Sequence, residues 1–426
     1  MFNKVFPTFC IVIFLTTTIS SSLKESVSYD GYALLRITPT TEHQLQYLLK
    51  LNANASNGLD FWLRSTAVNN SADVMVTPEA KRRLCRSLNN IRIPYKVLIQ
   101  DLGRLIAEDQ ADTVIVPPGL EFFADYNPVD EINIYMRDLA LKYPDVVSLI
   151  EIGTSFEGRP LFILRISTPF SEPKPSIWIQ GGAHAREQIG PAVLLFIALQ
   201  LSSSCNRNAE IFTLVNTFEW YIDPIVNPDG YEYCQIDRLW RKTRSRCPSS
   251  KCVGVDANRN WDFKWNDAAG SSTNPCSHNY AGPEPFSEPE TRAIAEFMLD
   301  NLKGRLELFI DIHSYSQRWM TPWGYTTKLP PNYREQKLLA EVATKALETV
   351  YGTKYTVGSS GSILYTVSGG ARDWVYGTLG AKYSYVVEVR DKGDFGFLLS
   401  RKQILPTVVE TWTGVKAMAC ALSKWV

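Results

Sequence analysis

The chain has 426 residues, 45% of them apolar, and 44 Lys plus Arg balance 44 Asp plus Glu to a formal net charge of zero. That length supports a sizeable core and more than one domain, and the composition is that of an ordinary globular protein. A neutral chain with no basic cluster interleaved with aromatics argues against nucleic acid or an acidic membrane as an obligatory partner.

Residues 1–22 carry one lysine in MFNK, an apolar core from Val5 to Leu15 and small residues afterwards. This is the pattern of a secretory signal peptide. The run is shorter than the roughly 20 residues of an anchor helix, and no second such run follows. The C-terminal ETWTGVKAMACALSKWV is amphipathic and lacks the hydrophobic tail of a lipid-anchor signal. A secreted, extracellular protein without a membrane partner is expected. Of eight cysteines, Cys10 leaves with the signal, and Cys85, Cys205, Cys234, Cys247, Cys252, Cys276 and Cys420 remain. An oxidising compartment favours disulfides over metal binding by Cys247-x4-Cys252, and an odd count leaves at least one thiol free or paired elsewhere. Sequons stand at Asn54 and Asn69.

Residues 23–104 read as a separate module. Strand patterns at 31–38, 59–63, 72–76 and 95–99 alternate with helix patterns at 41–51 and from 77-78-79 (TPE) to about 88. A βαββαβ order predicts a small open-faced α+β sandwich. It holds one histidine, His43, and no cluster of catalytic residue types, so a chaperone or inhibitory pro-segment is its reading. Arg104 and the following LIAEDQADTVIVPPG read as an exposed, protease-sensitive link over 105–121.

From 122 to 426 strand and helix patterns alternate, predicting an α/β domain with a mixed sheet. An amphipathic helix at 131–143 precedes strands at 146–152, 161–166 and 176–180 (SIWIQ), and two glycines then open a loop. The loop carries His184, Arg186 and Glu187, and an apolar run (AVLLFIALQL) reads as a buried helix behind it. Residues at the carboxyl end of such strands bind ligands in open α/β sheets. A strand at 218–225 ends in a turn at 226–230, Ser287-x-x-Glu290 reads as a capping box before a helix to 302, and strands at 306–312 and 383–389 deliver His313 and Glu388. His184, Glu187 and His313 make a His2Glu set, the ligand count of a catalytic zinc with an open fourth position. Judged alone, His313 reads equally as a hydrogen-bonded core imidazole.

The motifs AHAREQIGPA, NPDGYEY, RLWRKTRS, GVDANRNWDFKW, SEPET, IHSYSQ, SGGARDW and EVRDKGDFGFLL make the resemblance specific. The chain resembles secreted zinc metallocarboxypeptidases of the pancreatic carboxypeptidase A/B type, made as proenzymes. The motifs keep the family's order over nearly all of 120–426, and the N-terminal module resembles the family's activation domain. The resemblance implies an α/β/α mixed-sheet zinc carboxypeptidase domain, one zinc ion on His184, Glu187 and His313, and Glu388 as general base. Arg241 is implied to polarise the scissile carbonyl and stabilise its oxyanion. Asn258 and Arg259 are implied to hold the substrate's terminal carboxylate, under a mobile Tyr365. Arg186, Ser314, Tyr315 and Phe397 match subsite residues, and Asp256 fits an acceptor that orients a zinc histidine. Cys252 and Cys276 match a family disulfide, while Cys234 could pair with Cys247 or Cys205. Implied partners are peptides with a free C-terminus, a trypsin-like activating protease and protein carboxypeptidase inhibitors, acting on a monomer.

Arg372 departs from the family's commoner patterns. Its position matches the floor of the pocket for the substrate's last side chain, where an aliphatic residue accompanies apolar preference and an acid accompanies Lys or Arg preference. A permanent guanidinium suits Glu or Asp, and an apolar guest would leave it buried and unpaired. Asp311 bears on this: paired with Arg372 it would neutralise the pocket, or it could position the guanidinium. The alternatives are an A-type enzyme of apolar or broad preference, a regulatory enzyme trimming basic residues, and a catalytically silent peptide-binding homologue. The last would have lost the base or a ligand, and all four residues are present. Arg372 and the full activation module speak against the basic-trimming group.

Overall fold

The computed structural model describes residues 26–53, 58–169, 173–248, 250–267 and 270–425. The expected signal sequence and the Asn54 sequon lie outside the described residues. The N-terminal module has β1 (Ala33–Ile37), a helix Glu42–Ala53, β2 (Leu59–Leu63), β3 (Ala72–Val76), a helix Pro78–Asn90 and β4 (Tyr95–Ile99). Its antiparallel sheet runs β2-β3-β1-β4. Thr77 starts the second helix by accepting a hydrogen bond from Ala80 N, with Pro78 in the first turn. Ala80, Leu84 and Leu88, one turn apart, are its buried stripe.

The stretch after Arg104 differs from the expected open link. Leu102–Ala111 is a helix, capped by the Asp101 side chain on Arg104 N. Its far end is tied to the larger domain, where Asp109 accepts from Ser400 Oγ at 2.7 Å and from Arg401 N at 3.1 Å. Arg104 itself keeps an exposed side chain.

The larger domain holds β5 (Val147–Thr154), β6 (Pro160–Ile166), β7 (Ser176–Gly181), β8 (Glu219–Asp223), β9 (Leu306–Ser314), β10 (Arg318–Thr321), β11 (Thr356–Ser359) and β12 (Tyr383–Val389). They form one sheet ordered β11-β10-β12-β9-β7-β8-β6-β5. The central β12, β9, β7 and β8 are parallel, and β10, β6 and β5 run against their inner neighbours. Helices Val129–Lys142, Ile189–Ser204, Tyr333–Tyr351 and Ile404–Leu422 cover one face, and Pro289–Asn301 covers the other. This is the mixed-sheet α/β/α arrangement expected from the sequence. Ile189–Ser204 is apolar all round because it is walled in by the sheet and by Ile404–Leu422.

Two local expectations need correction. The turn predicted at 226–230 is the start of a helix, Pro228–Tyr233, with Asn227 Oδ1 accepting from Gly230 N at 2.9 Å. The predicted capping box at Ser287 does not form. Pro289 takes the first helical position, so Glu288 precedes the helix instead, and Glu290 accepts from Phe156 N at 2.9 Å. Among the described residues no single helix is long and apolar enough to cross a membrane.

Candidate active site

Three parallel strands end at one place. Glu388 on β12 lies in register with His313 on β9, and Gly181 at the end of β7 pairs with Ile312. Gly182 then turns the chain with φ of +67°, a conformation glycine adopts without penalty, and brings His184 and Glu187 over the strand ends.

His184, Glu187 and His313 are buried, with one ligand atom from each within 4.8 Å of the others. His313 Nδ1 stands 3.1 Å from His184 Nδ1 and 2.8 Å from Glu187 Oε2, and His184 Nδ1 is 2.9 Å from Glu187 Oε1. The opposite ring nitrogens face carboxylates: His184 Nε2 is 2.9 Å from Asp256 Oδ1, and His313 Nε2 is 2.9 Å from Asp311 Oδ2. A proton on each outer nitrogen leaves two imidazole lone pairs and a carboxylate converging on one point. That donor set fits a divalent cation of the zinc type. The electrostatics agree. Burial alone would lower the His313 imidazole, but Asp311 and Glu187 outweigh it and draw positive charge to this position. Burial would likewise raise the Glu187 carboxyl, and His184 and His313 overcome it and hold it below the usual range.

Glu388 is half-buried beside this cluster, with its Oε2 atom buried and unpartnered among the described residues. Burial, with repulsion from Glu187 as the next cause, pushes its carboxyl up to about 8. Arg241 Nη2 donates to Asp256 Oδ2 at 2.7 Å, and its Nη1 lies 3.8 Å from Glu187 Oε1. Asp256 therefore ties His184 and Arg241 together. Asn258 Nδ2 donates to Asp311 Oδ2 at 3.1 Å, and its Oδ1 accepts from Ala371 N at 2.9 Å. Arg259 donates to Gly270 O and to Asn258 O. These side chains share one cavity with Ser314, Tyr315, Tyr365, Arg372 and Phe397. Arg186 lies at its edge, its guanidinium 4.1 Å from the Phe397 ring centre.

The family profile for zinc carboxypeptidases matches residues 132–414, and that for the carboxypeptidase activation peptide matches 35–109. The chain belongs to the zinc carboxypeptidase family. It is 39% identical over 396 residues to carboxypeptidase A2 of Mus musculus, covering 92% of this chain and 94% of that one. Among solved structures, thrombin-activatable fibrinolysis inhibitor superposes with a TM-score of 0.84 at 33% identity, covering 93% of this chain and all of that one. The bovine form of that protein, in complex with tick carboxypeptidase inhibitor, gives a TM-score of 0.67 at 38% identity, covering 72% and 100%. This protein is thus a metallocarboxypeptidase with an N-terminal activation peptide, and the family's metal is zinc.

The carboxypeptidase carries its activation peptide across the cleft. Trp62 and Leu63 of β2 line the cavity. Trp62 packs 4.8 Å from Phe397, Asp60 Oδ2 accepts from Arg186 Nη1 at 2.6 Å, and Asp73 Oδ2 accepts from Tyr315 OH at 2.8 Å. Arg64 lies over the Tyr365 ring. Sequence reasoning found a cleft role for none of these five module residues, because their partners stand far along the chain. It also passed over Arg238, which donates to Arg186 O and Phe397 O and was legible only as part of RLWRKTRS.

Arg372 is buried, and its Nε donates to Asp373 Oδ1 at 3.0 Å. Asp373 also accepts from Gly324 N at 2.8 Å and Tyr325 N at 3.1 Å. The Nη groups of Arg372 make no hydrogen bond among the described residues. A Cβ at Gly324 would fall 2.1 Å from Arg372 Nη2, so only glycine leaves the guanidinium its place. Cys252 and Cys276 are disulfide-bonded, and Cys234 is joined to neither Cys247 nor Cys205.

Proposed function

We propose that this carboxypeptidase is a secreted proenzyme whose mature form releases C-terminal Glu or Asp. The observation that carries the preference is Arg372, a buried cation in the cleft whose Nη groups are left for a guest carboxylate. Asp311, the residue that could have cancelled it, is engaged by His313 and Asn258.

His184, Glu187 and His313 would hold the zinc, and Asp256 and Asp311 would orient the two imidazoles. The bound metal supplies Lewis-acid polarisation and an acidified water. Asn258, Arg259 and Tyr365 grip the terminal carboxylate, which limits the enzyme to the last residue. The Glu388 carboxylate takes the proton of the attacking water and hands it to the leaving amine. Arg241 stabilises the oxyanion that forms on the scissile carbonyl. The module of residues 23–104 restrains the enzyme by covering the cleft. Cleavage at the exposed Arg104 by a trypsin-like protease begins its removal. Protein inhibitors of carboxypeptidases are proposed as further partners, as one structural relative is bound to such an inhibitor.

A broader preference is the second reading, favoured by the Arg372 to Asp373 ion pair, which leaves the pocket without net charge. The test is release from matched peptides ending in Glu, Asp, Leu, Phe, Lys or Arg, by trypsin-treated protein with and without a zinc chelator. Chelator-sensitive release mainly of Glu and Asp is expected, and faster release of Leu or Phe would overturn the acidic reading.

A further inference from the structure

Glu388 stands in the middle of a row that crosses three strands. On one side it is in register with His313 of β9, and on the other with Arg318 of β10, the first residue beyond IHSYSQ. Residues directly opposite each other in an antiparallel pair share a face, with Cβ atoms about 5 Å apart. The neighbours of the row settle which face it is. Met320 and Val386, the next pair along, line the cleft together with Glu388, whereas Trp319 and Val387 between them enter the core beneath the helices. Arg318 therefore rises from the cleft face of the sheet, beside the carboxylate.

Each of the two carries a buried atom without a partner. Arg318 Nη1 and Glu388 Oε2 make no hydrogen bond among the described residues, to each other included. Buried charge left in that state is costly, and the residue opposite each holds the opposite charge. The rest of the row offers no substitute. His313 is turned to Asp311 and Glu187, and Thr356, opposite Arg318 on β11, is uncharged. A guanidinium has a long stem and five donors, so rotation of side chains is enough to close the pair. The electrostatics point the same way: burial and Glu187 raise the Glu388 carboxyl, with His313, Arg318 and Arg241 acting against them.

We propose that Arg318 is a positioning residue for the general base: its guanidinium takes one oxygen of the Glu388 carboxylate and leaves the other to face the attacking water. This rests on the reading of Glu388 as the base, and it is independent of which terminal residue Arg372 selects. Arg318 does not itself line the cavity, so it acts on turnover through Glu388 and not through the substrate.

The test uses trypsin-activated, zinc-loaded enzyme and the peptide it cleaves fastest. Arg318→Leu should lower kcat about tenfold, the size of one charge-assisted hydrogen bond, while KM and zinc content stay as in the wild type. Arg318→Lys keeps the charge and should recover part of that loss. Made in the Glu388→Gln background, Arg318→Leu should lower the residual rate by less than about twofold, because the partner it acts through is gone. An undiminished kcat in Arg318→Leu overturns the proposal. So does a loss of the same size in the Glu388→Gln background, which would mark a general disturbance of the fold. Glu388→Gln alone separates the two readings: if it retains the wild-type kcat, the assignment of the base fails, whatever Arg318 does.

Discussion

The Asp311 carboxylate lies 2.9 Å from His313 Nε2 and accepts from Asn258, while Arg372 is paired with Asp373. Two residues that could have cancelled each other in one pocket are thus separated, one bonded to His313 and the other lining the cleft. Asp311→Asn should therefore lower zinc affinity by about 10- to 100-fold, as loss of such an orienting partner does elsewhere. The order of preference among terminal residues should stay the same. Zinc content against a competing chelator checks the first, and the peptide panel checks the second. A changed preference with unchanged zinc binding would place Asp311 in the pocket.

Arg372→Leu should cut kcat/KM for a Glu-terminated peptide by about 100-fold or more, since a buried charge partner is lost. Leu-terminated peptides should gain. Gly324→Ala should move the preference the same way without touching the charge, because the added methyl occupies the space of Arg372 Nη2. Matched kinetics on the two peptides separate steric displacement from simple unfolding, which would depress both.

Glu388→Gln should keep zinc and still bind peptide while turnover falls by at least about 100-fold, the usual contribution of a general base. Zinc content and inhibition by a product peptide provide the binding readouts. Equal losses in binding and turnover would assign Glu388 to the metal shell instead.

Glu290 offers a pH test away from the cleft. It is fully buried on the helix Pro289–Asn301, Oε2 has no partner among the described residues, and burial pushes its carboxyl up to about 8. Its folded value lies above its unfolded value, so its contribution to stability is complete below about 4.5 and is lost as the pH rises towards 8. Glu290→Gln removes that loss. The variant's Tm should gain on the wild type steadily between these limits, and a constant difference across them would show that the carboxyl titrates normally.

Much of this was written locally. The alternation of 176–180, the two glycines and the apolar run behind them predicted strand, loop and buried helix, and β7 followed by Ile189–Ser204 is what forms. Strand ends carrying His313 and Glu388 were legible for the same reason: periodicity of two and apolar content report the backbone's immediate neighbourhood. The pairing of Asp311 with His313 also had a local signal, since residues two apart on a strand share a face.

The tertiary structure decided which partner each charged group took. Asp60 and Arg186 are 126 residues apart, and Asp73 and Tyr315 are 242 apart, so the closure of the cleft by the activation peptide had no local trace. The helix Leu102–Ala111 escaped because it straddles the expected boundary between module and link at Arg104, and its far end depends on Ser400 and Arg401. The sequence alone determined the module's strands, the strands that carry the site, their order and the residue types available for chemistry, because these follow from short-range sterics and burial. Choosing between two cations for one carboxylate depends on distances of a few ångströms between chain segments far apart in sequence, and only packing sets those.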